Sequence, residues 1–221
     1  LRYENLQFAT PCEVAGTIPP ERELSIESFV SWADLERNTS CWLGNALQHA
    51  CFIQQKRLQA PAREIRDPDL LAIWRTLGLS DHLYYIFTHG GGPAEVHNYF
   101  SPYGSPYDAA VTYFAVLSDF HCRLKGKTHL ADSPFRFATG IDQFTGDSAW
   151  TLMGLEAILD KIPLPSLEYH NANGDYALWA EKSLGDSALA EKLAGLQKLK
   201  GERLRKGLLR AVADSLATEV I

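Results

Sequence analysis

The 221-residue chain carries 21 Lys and Arg against 27 Asp and Glu, a net charge of −6 and a sequence pI near 5.6. That balance excludes a general nucleic-acid binder, and no apolar run is long enough to span a membrane. Hydrophobic residues make up 46% of the chain, enough for a substantial core in about one or two domains. Cys12, Cys41, Cys51 and Cys122 are scattered with no Cys-x-x-Cys pair, so they read as reduced thiols and place the protein in the cytoplasm.

In chain order, Leu6 to Thr10 is a short strand-like run and Pro11 to Val14 turns away from it. A single strand is not a stable fold. With Leu at position 1, the chain reads as the back part of a longer polypeptide. Pro19-Pro20 and the charged residues after them form an exposed linker. Ser31, with Asp34 three residues later, predicts the start of a helix by an acidic capping box. Leu35, Trp42, Leu43, Ala46, Leu47, Ala50 and Ile53 carry its period to about Leu58, and Pro61 ends it. Asp67-Pro68 restarts a helix that runs to Gly78.

Ser80 to Lys125 is dense in His, Tyr, Gly and Pro. Ser105 as N-cap, Pro106 at the first helical position and Asp108 three residues after the cap start a long helix that closes at Gly126. Lys125 to Pro134 is polar and proline-broken, and marks a boundary. Beyond it come a strand-like Phe135–Ala138, a helix from about Ser148 to Lys161 and a connector at Pro163–Pro165. Helices follow at about Asp175–Leu184, Ser187–Lys198 and Glu202–Ala217. This second unit is small for an independent core.

No phosphate-binding glycine loop is present, because Gly90-Gly91-Gly92 lacks a following Lys-Ser/Thr. There is no Gly-x-Ser-x-Gly nucleophile elbow either. His82, His89, His97 and His121 are the histidines near enough in sequence to suggest a metal, but no zinc spacing joins them. Asp34, Glu36, Asp81, Glu95 and Asp108 are candidate carboxylates for glycoside chemistry, which needs two at a set separation. Trp32, Trp42, Tyr84, Tyr85, Tyr99 and Tyr103 are candidates for stacking on sugar rings. For each of these the competing role is packing or capping.

Two stretches go beyond periodicity. Ser31-Trp-Ala-Asp-Leu-Glu-Arg-Asn-Thr-Ser-Cys-Trp-Leu-Gly-Asn45 is one. Ser80-Asp-His-Leu-Tyr-Tyr85 with Val96-His-x-Tyr-Phe-Ser-Pro-Tyr-x-Ser-Pro-Tyr-Asp-Ala109 is the other. They resemble the C-terminal part of α-amylase-type enzymes of glycoside hydrolase family 57, and Phe8-Ala-Thr-Pro11 resembles the segment before it. The resemblance implies an incomplete (β/α) barrel followed by a helical region that walls the active site, with retaining action on α-glucans. The nucleophile and the acid/base implied by the family lie upstream of the matched region, so this chain supplies no catalytic residue. Asn38 stands where the family usually has an acid, and His89-Gly-Gly-Gly replaces a stretch that usually carries Lys or an aromatic residue.

Phe135-x-Phe-x-Thr-Gly140, Pro163-x-x-Ser-Leu-x-Tyr-His170 and Gly174-Asp-Tyr-x-x-Trp179 resemble a small helical domain of unknown function. The expected architecture is therefore mainly α. Residues 1–128 form the helical region, with a remnant barrel strand near 6–10, and 133–217 form the small helical domain. The expected sugar-facing residues are Trp32, Asp34, Trp42, Asp81 and His82, with no metal or cofactor. The expected partners are a starch- or glycogen-like α-glucan, an upstream catalytic barrel in cis or as a separate chain, and a second copy of this chain. A non-catalytic helical module that binds a glycan or a protein is the alternative.

Overall fold

The computed structural model describes residues 6–33, 37–88 and 99–218. The protein is mainly helical, as expected, with one two-stranded sheet. Every side chain from residue 6 to residue 30 is exposed. Within that arm only α1 (Pro11–Thr17) is regular. Thr10 caps it: its hydroxyl accepts from the Glu13 N–H (3.3 Å) and its own N–H donates to the Glu13 carboxylate (2.7 Å). The run 6–10 belongs to no strand, because a strand needs a ladder partner and its last residue is committed to starting a helix.

Among the described residues, 31–33 and 37–39 do not form the helix expected from Ser31. Ser31 Oγ accepts from the Ala33 N–H (3.0 Å), and Arg37 takes a left-handed φ of 52°, which no α-helix passes through. The chain makes a short α2 (Ser40–Leu43) and then restarts as α3 (Ala46–Arg57). Asn45 is the real start signal. Its side chain accepts from the Gln48 N–H (2.9 Å) while Gln48 returns a carbonyl to the Asn45 N–H (3.0 Å). Pro61 does not end the helical path. It sits in the first turn of α4 (Gln59–Glu64), where a missing N–H costs nothing.

The next starts follow the expectation. Asp67 caps α5 (Pro68–Leu77) through the N–H groups of Asp69 and Leu70, and Ser105 caps α7 (Pro106–Lys125) through the Asp108 N–H. Between them lies the single turn α6 (Asp81–Tyr84). Helix α7 buries Ala110, Tyr113, Leu117, Phe120 and Leu124 against Cys51, Leu58, Ala62, Leu70 and Leu77. Each full-sized side chain taken out of water there stabilises by roughly 1.5–3 kcal/mol. Val111 and Phe114, although they fit the helical period, face outward with Tyr107, at 71%, 44% and 65% exposure.

The second half opens with a hairpin where the sequence suggested a short strand and a helix. β1 (Leu130–Ala138) pairs antiparallel with β2 (Phe144–Thr151), in a register that sets Phe135 opposite Ala149 and Arg136 opposite Ser148. Residues 148–151 are thus strand. Helix α8 (Leu152–Leu159) begins only at Thr151, whose hydroxyl accepts from the Gly154 N–H (2.9 Å). The expected connector at Pro163–Pro165 opens a helix instead, α9 (Leu164–Asn173), because Pro163 and Pro165 fall where prolines are tolerated at a helix start. α10 (Asp175–Trp179) runs into a π-helical turn (Ala180–Leu184), followed by α11 (Ser187–Ala194) and α12 (Gly201–Thr218). Phe135, Phe137, Leu155, Leu159, Leu167, Tyr176, Leu204, Leu208 and Val212 make a second core. Arg205, on α12, closes the end of α8 by donating to the carbonyls of Leu159 and Ile162.

The two cores are clasped by one carboxylate. Glu64, at the end of α4, accepts from the N–H of Trp150 (2.9 Å) and from the N–H (2.8 Å) and hydroxyl (2.9 Å) of Thr151. Burial raises its pKa above the ordinary 4.5, against the opposing pull of those donors. The approach requires glycine at 154, since a Cβ there would stand 2.5 Å from Glu64 Cδ. Leu130 and Met153, from the second half, also pack on the first core.

Candidate functional site

Trp42 and His82, two of the residues expected to face the sugar, lie on α2 and α6, at the junction of these helices with α3. Gln48, fully buried, organises it: its amide donates to the carbonyls of Cys41 (2.6 Å) and Leu83 (3.0 Å). Its oxygen accepts from the N–H groups of Gly44 (2.8 Å) and Asn45 (3.0 Å). Asn45 adds a bond from Nδ2 to the Ile86 carbonyl (2.9 Å). A polar group taken out of water must be satisfied in this way, and a fully connected network specifies one arrangement. Gln48 was missed in the sequence, where it is one glutamine among several. The Asn45-x-x-Gln48 capping spacing was the signal that could have found it.

Trp42 is half-buried and meets Tyr84 edge-on at 5.6 Å. His82 stacks on Tyr113 at 4.9 Å and donates from Nε2 to the Thr76 carbonyl (3.2 Å), so the proton sits on that nitrogen. Tyr113 in turn donates to the Leu77 carbonyl (2.5 Å), and burial drives its phenol pKa far up, so it remains a neutral donor. Trp42, Phe52, Leu83 and Tyr113 line a cavity of about 200 Å³. Trp42 packs on Tyr84 and His82 on Tyr113, so each is held in a packed aromatic contact.

Trp32 is 64% exposed, and its carbonyl accepts from Arg37 (2.5 Å). Asp81 is exposed on the first turn of α6. Neither lines that cavity. Asp34, Glu36, Glu95, His89, His97 and Gly90 to Gly92 lie outside the described residues. Of the remaining candidate carboxylates, Asp108 is occupied in capping, accepting from Ser105 Oγ at 2.7 Å. Among the described residues no three His, Cys, Asp or Glu side chains converge as a metal set. No described helix is long and apolar enough to cross a membrane.

Comparison with known proteins gives one informative likeness. A putative alpha-amylase of Methanocaldococcus jannaschii is 32% identical over 134 residues, 56% of this chain and 29% of the relative. The chain thus spans less than a third of that relative's length. No family model matches the chain, and no solved structure matches it.

Proposed function

We propose that this chain supplies the helical portion of an α-amylase-like glycoside hydrolase of family 57. In this reading it walls the cleft that holds an α-glucan, while the two catalytic carboxylates are carried by an upstream barrel. The observation that carries the proposal is the 32% identity over 134 residues with a putative alpha-amylase. The exposed apolar side chains support it: Phe29, Val30 and Trp32 on the arm, and Tyr107, Val111 and Phe114 on α7, are an unusual amount of hydrocarbon to leave in water. A large partner unit, in cis or as a separate chain, would cover such a surface. Among the described residues, Trp32 and Asp81 are the assigned ones with the exposure to meet a sugar directly, by stacking and by accepting hydroxyl hydrogens. Trp42 and His82 would hold that wall rather than touch it.

The coding sequence immediately upstream of Leu1 tests this reading. A barrel bearing a glutamate nucleophile and an aspartate acid is expected there or on a neighbouring gene, and its absence from both would overturn the enzyme reading. The isolated 221-residue chain is expected to release no reducing sugar from soluble starch, because retaining hydrolysis needs two positioned carboxyls. A non-catalytic helical module that binds a glycan or a partner is the second reading, favoured by the same exposed apolar surface if no barrel is found.

A further inference from the structure

A cleft of about 360 Å³, far in sequence from the wall just described, opens between β1 and the turn that follows α10. Its size falls in the range of small-ligand sites. Phe135 and Trp179 form its apolar floor, and the Trp179 indole N–H is fixed by the Ser133 carbonyl (2.8 Å). At the back, the Ala138 N–H donates to His170 Nε2 (2.8 Å), which leaves the ring proton on Nδ1 to donate to Asp175 Oδ2 (2.7 Å). The imidazole is locked at both nitrogens and is thus a positioning residue. It holds Asp175, which lines the cleft and whose side chain is 36% exposed.

Arg136 from β1 and Lys182 from the π-helical turn also line the cleft, together with Ser183. Among the described residues neither Arg136 nor Lys182 takes a salt bridge or a side-chain hydrogen bond. Two unpaired cations facing one carboxylate is a local excess of positive charge on a chain of net charge −6. The turn that carries Lys182 and Ser183 is the one π-helical segment among the described residues, closed by the Asp186 N–H on the Ala180 carbonyl (3.0 Å) and a left-handed Gly185. Such turns are uncommon and concentrate at functional sites.

We propose that this cleft binds a small hydroxylated phosphate ester, with the phosphate held between Arg136 and Lys182 and a hydroxyl donated to Asp175. A guanidinium fork and an ammonium suit phosphate oxygens, while the free carboxylate oxygen, an acceptor only, selects for a ligand that also carries O–H. The aromatic floor takes the ligand's C–H face. The proposal is independent of the glycoside hydrolase reading, since it uses other residues and requires no upstream barrel.

Titration of the ¹⁵N-labelled 221-residue chain, read at the Trp179 indole and the amides of residues 182 and 183, tests it. Glucose 6-phosphate is expected to shift these resonances with a Kd of about 1 mM or tighter. Inorganic phosphate is expected to bind at least about fivefold more weakly and glucose not to bind at all. The double substitution Arg136→Gln, Lys182→Gln is expected to weaken glucose 6-phosphate at least about tenfold without moving the melting temperature, because both side chains are exposed. Asp175→Asn is expected to reduce the preference for glucose 6-phosphate over phosphate. No shift at about 10 mM glucose 6-phosphate, equal affinity for phosphate, or full affinity in the double variant would overturn the proposal.

Discussion

Replacing Glu64 by Ala strips the acceptor from the N–H groups of Trp150 and Thr151 and from the Thr151 hydroxyl in one step. An unsatisfied buried donor costs roughly 1–3 kcal/mol, and half-burial lets water recover part of it, so about 2–4 kcal/mol is expected in urea unfolding followed by tryptophan fluorescence. Gly154→Ala supplies the sharper test. Its Cβ would evict Glu64, so in the wild-type background it is expected to cost a similar amount. In the Glu64→Ala background the obstacle is gone, and the same substitution is expected to stabilise α8 by roughly 0.5–1 kcal/mol through helix propensity. The double-mutant cycle should therefore show a coupling of about 2 kcal/mol or more. If Gly154→Ala costs the same in both backgrounds, Gly154 is not there for Glu64 and the clasp reasoning fails. The clasp also carries a pH signature. Burial raises the folded-state pKa of Glu64 above 4.5, so the native state holds a proton that the unfolded chain releases. Stability is then expected to fall as pH rises from 4.5 through the raised folded value, and Glu64→Gln should remove that slope.

Three further outcomes are expected. His82→Ala should cost about 1.5–2 kcal/mol in urea unfolding, by losing the stack on Tyr113 and the bond to Thr76, whereas Trp32→Ala should cost under about 1 kcal/mol. On the proposed α-amylase-like reading, Trp32→Ala in the full-length protein should weaken glucan binding out of proportion to that small loss. His170→Ala should cost about 3–4 kcal/mol in thermal or urea unfolding, since it opens the aromatic core beside Phe135 and orphans the Ala138 N–H. Limited trypsin digestion should cut at Arg22, in the exposed arm, before Lys125 or Lys127. Those two flank a turn held by the Gly126 and Lys127 N–H groups, and the β1 pairing begins just after it. A first stable cut at 125–127 would instead favour a loose junction between the two halves.

Local chemistry alone determined much of this protein. A side chain that accepts from backbone two or three residues away needs no tertiary partner, so Asp67-Pro68 and Ser105-Pro106-x-Asp108 start helices where their sequence says they do. The helical spacing of the apolar residues likewise predicted a mainly helical chain. Position of burial was not local. Val111 and Phe114 fit the helical period as well as Tyr113 and Leu117, and only the placement of α3 and α5 decides which face of α7 is covered. The strand over 144–151 was hidden because strand preference is realised through a partner, here β1, and Ser148 offers a helix start that loses to Thr151. The site divides in the same way. Trp42 and His82 are conspicuous in the sequence, but their packing follows from Tyr84 and from Tyr113, which lies 31 residues beyond His82. The Glu64 clasp and the cleft shared by Arg136 and Lys182 join residues 86 and 46 positions apart, and only the folded backbone brings such residues together.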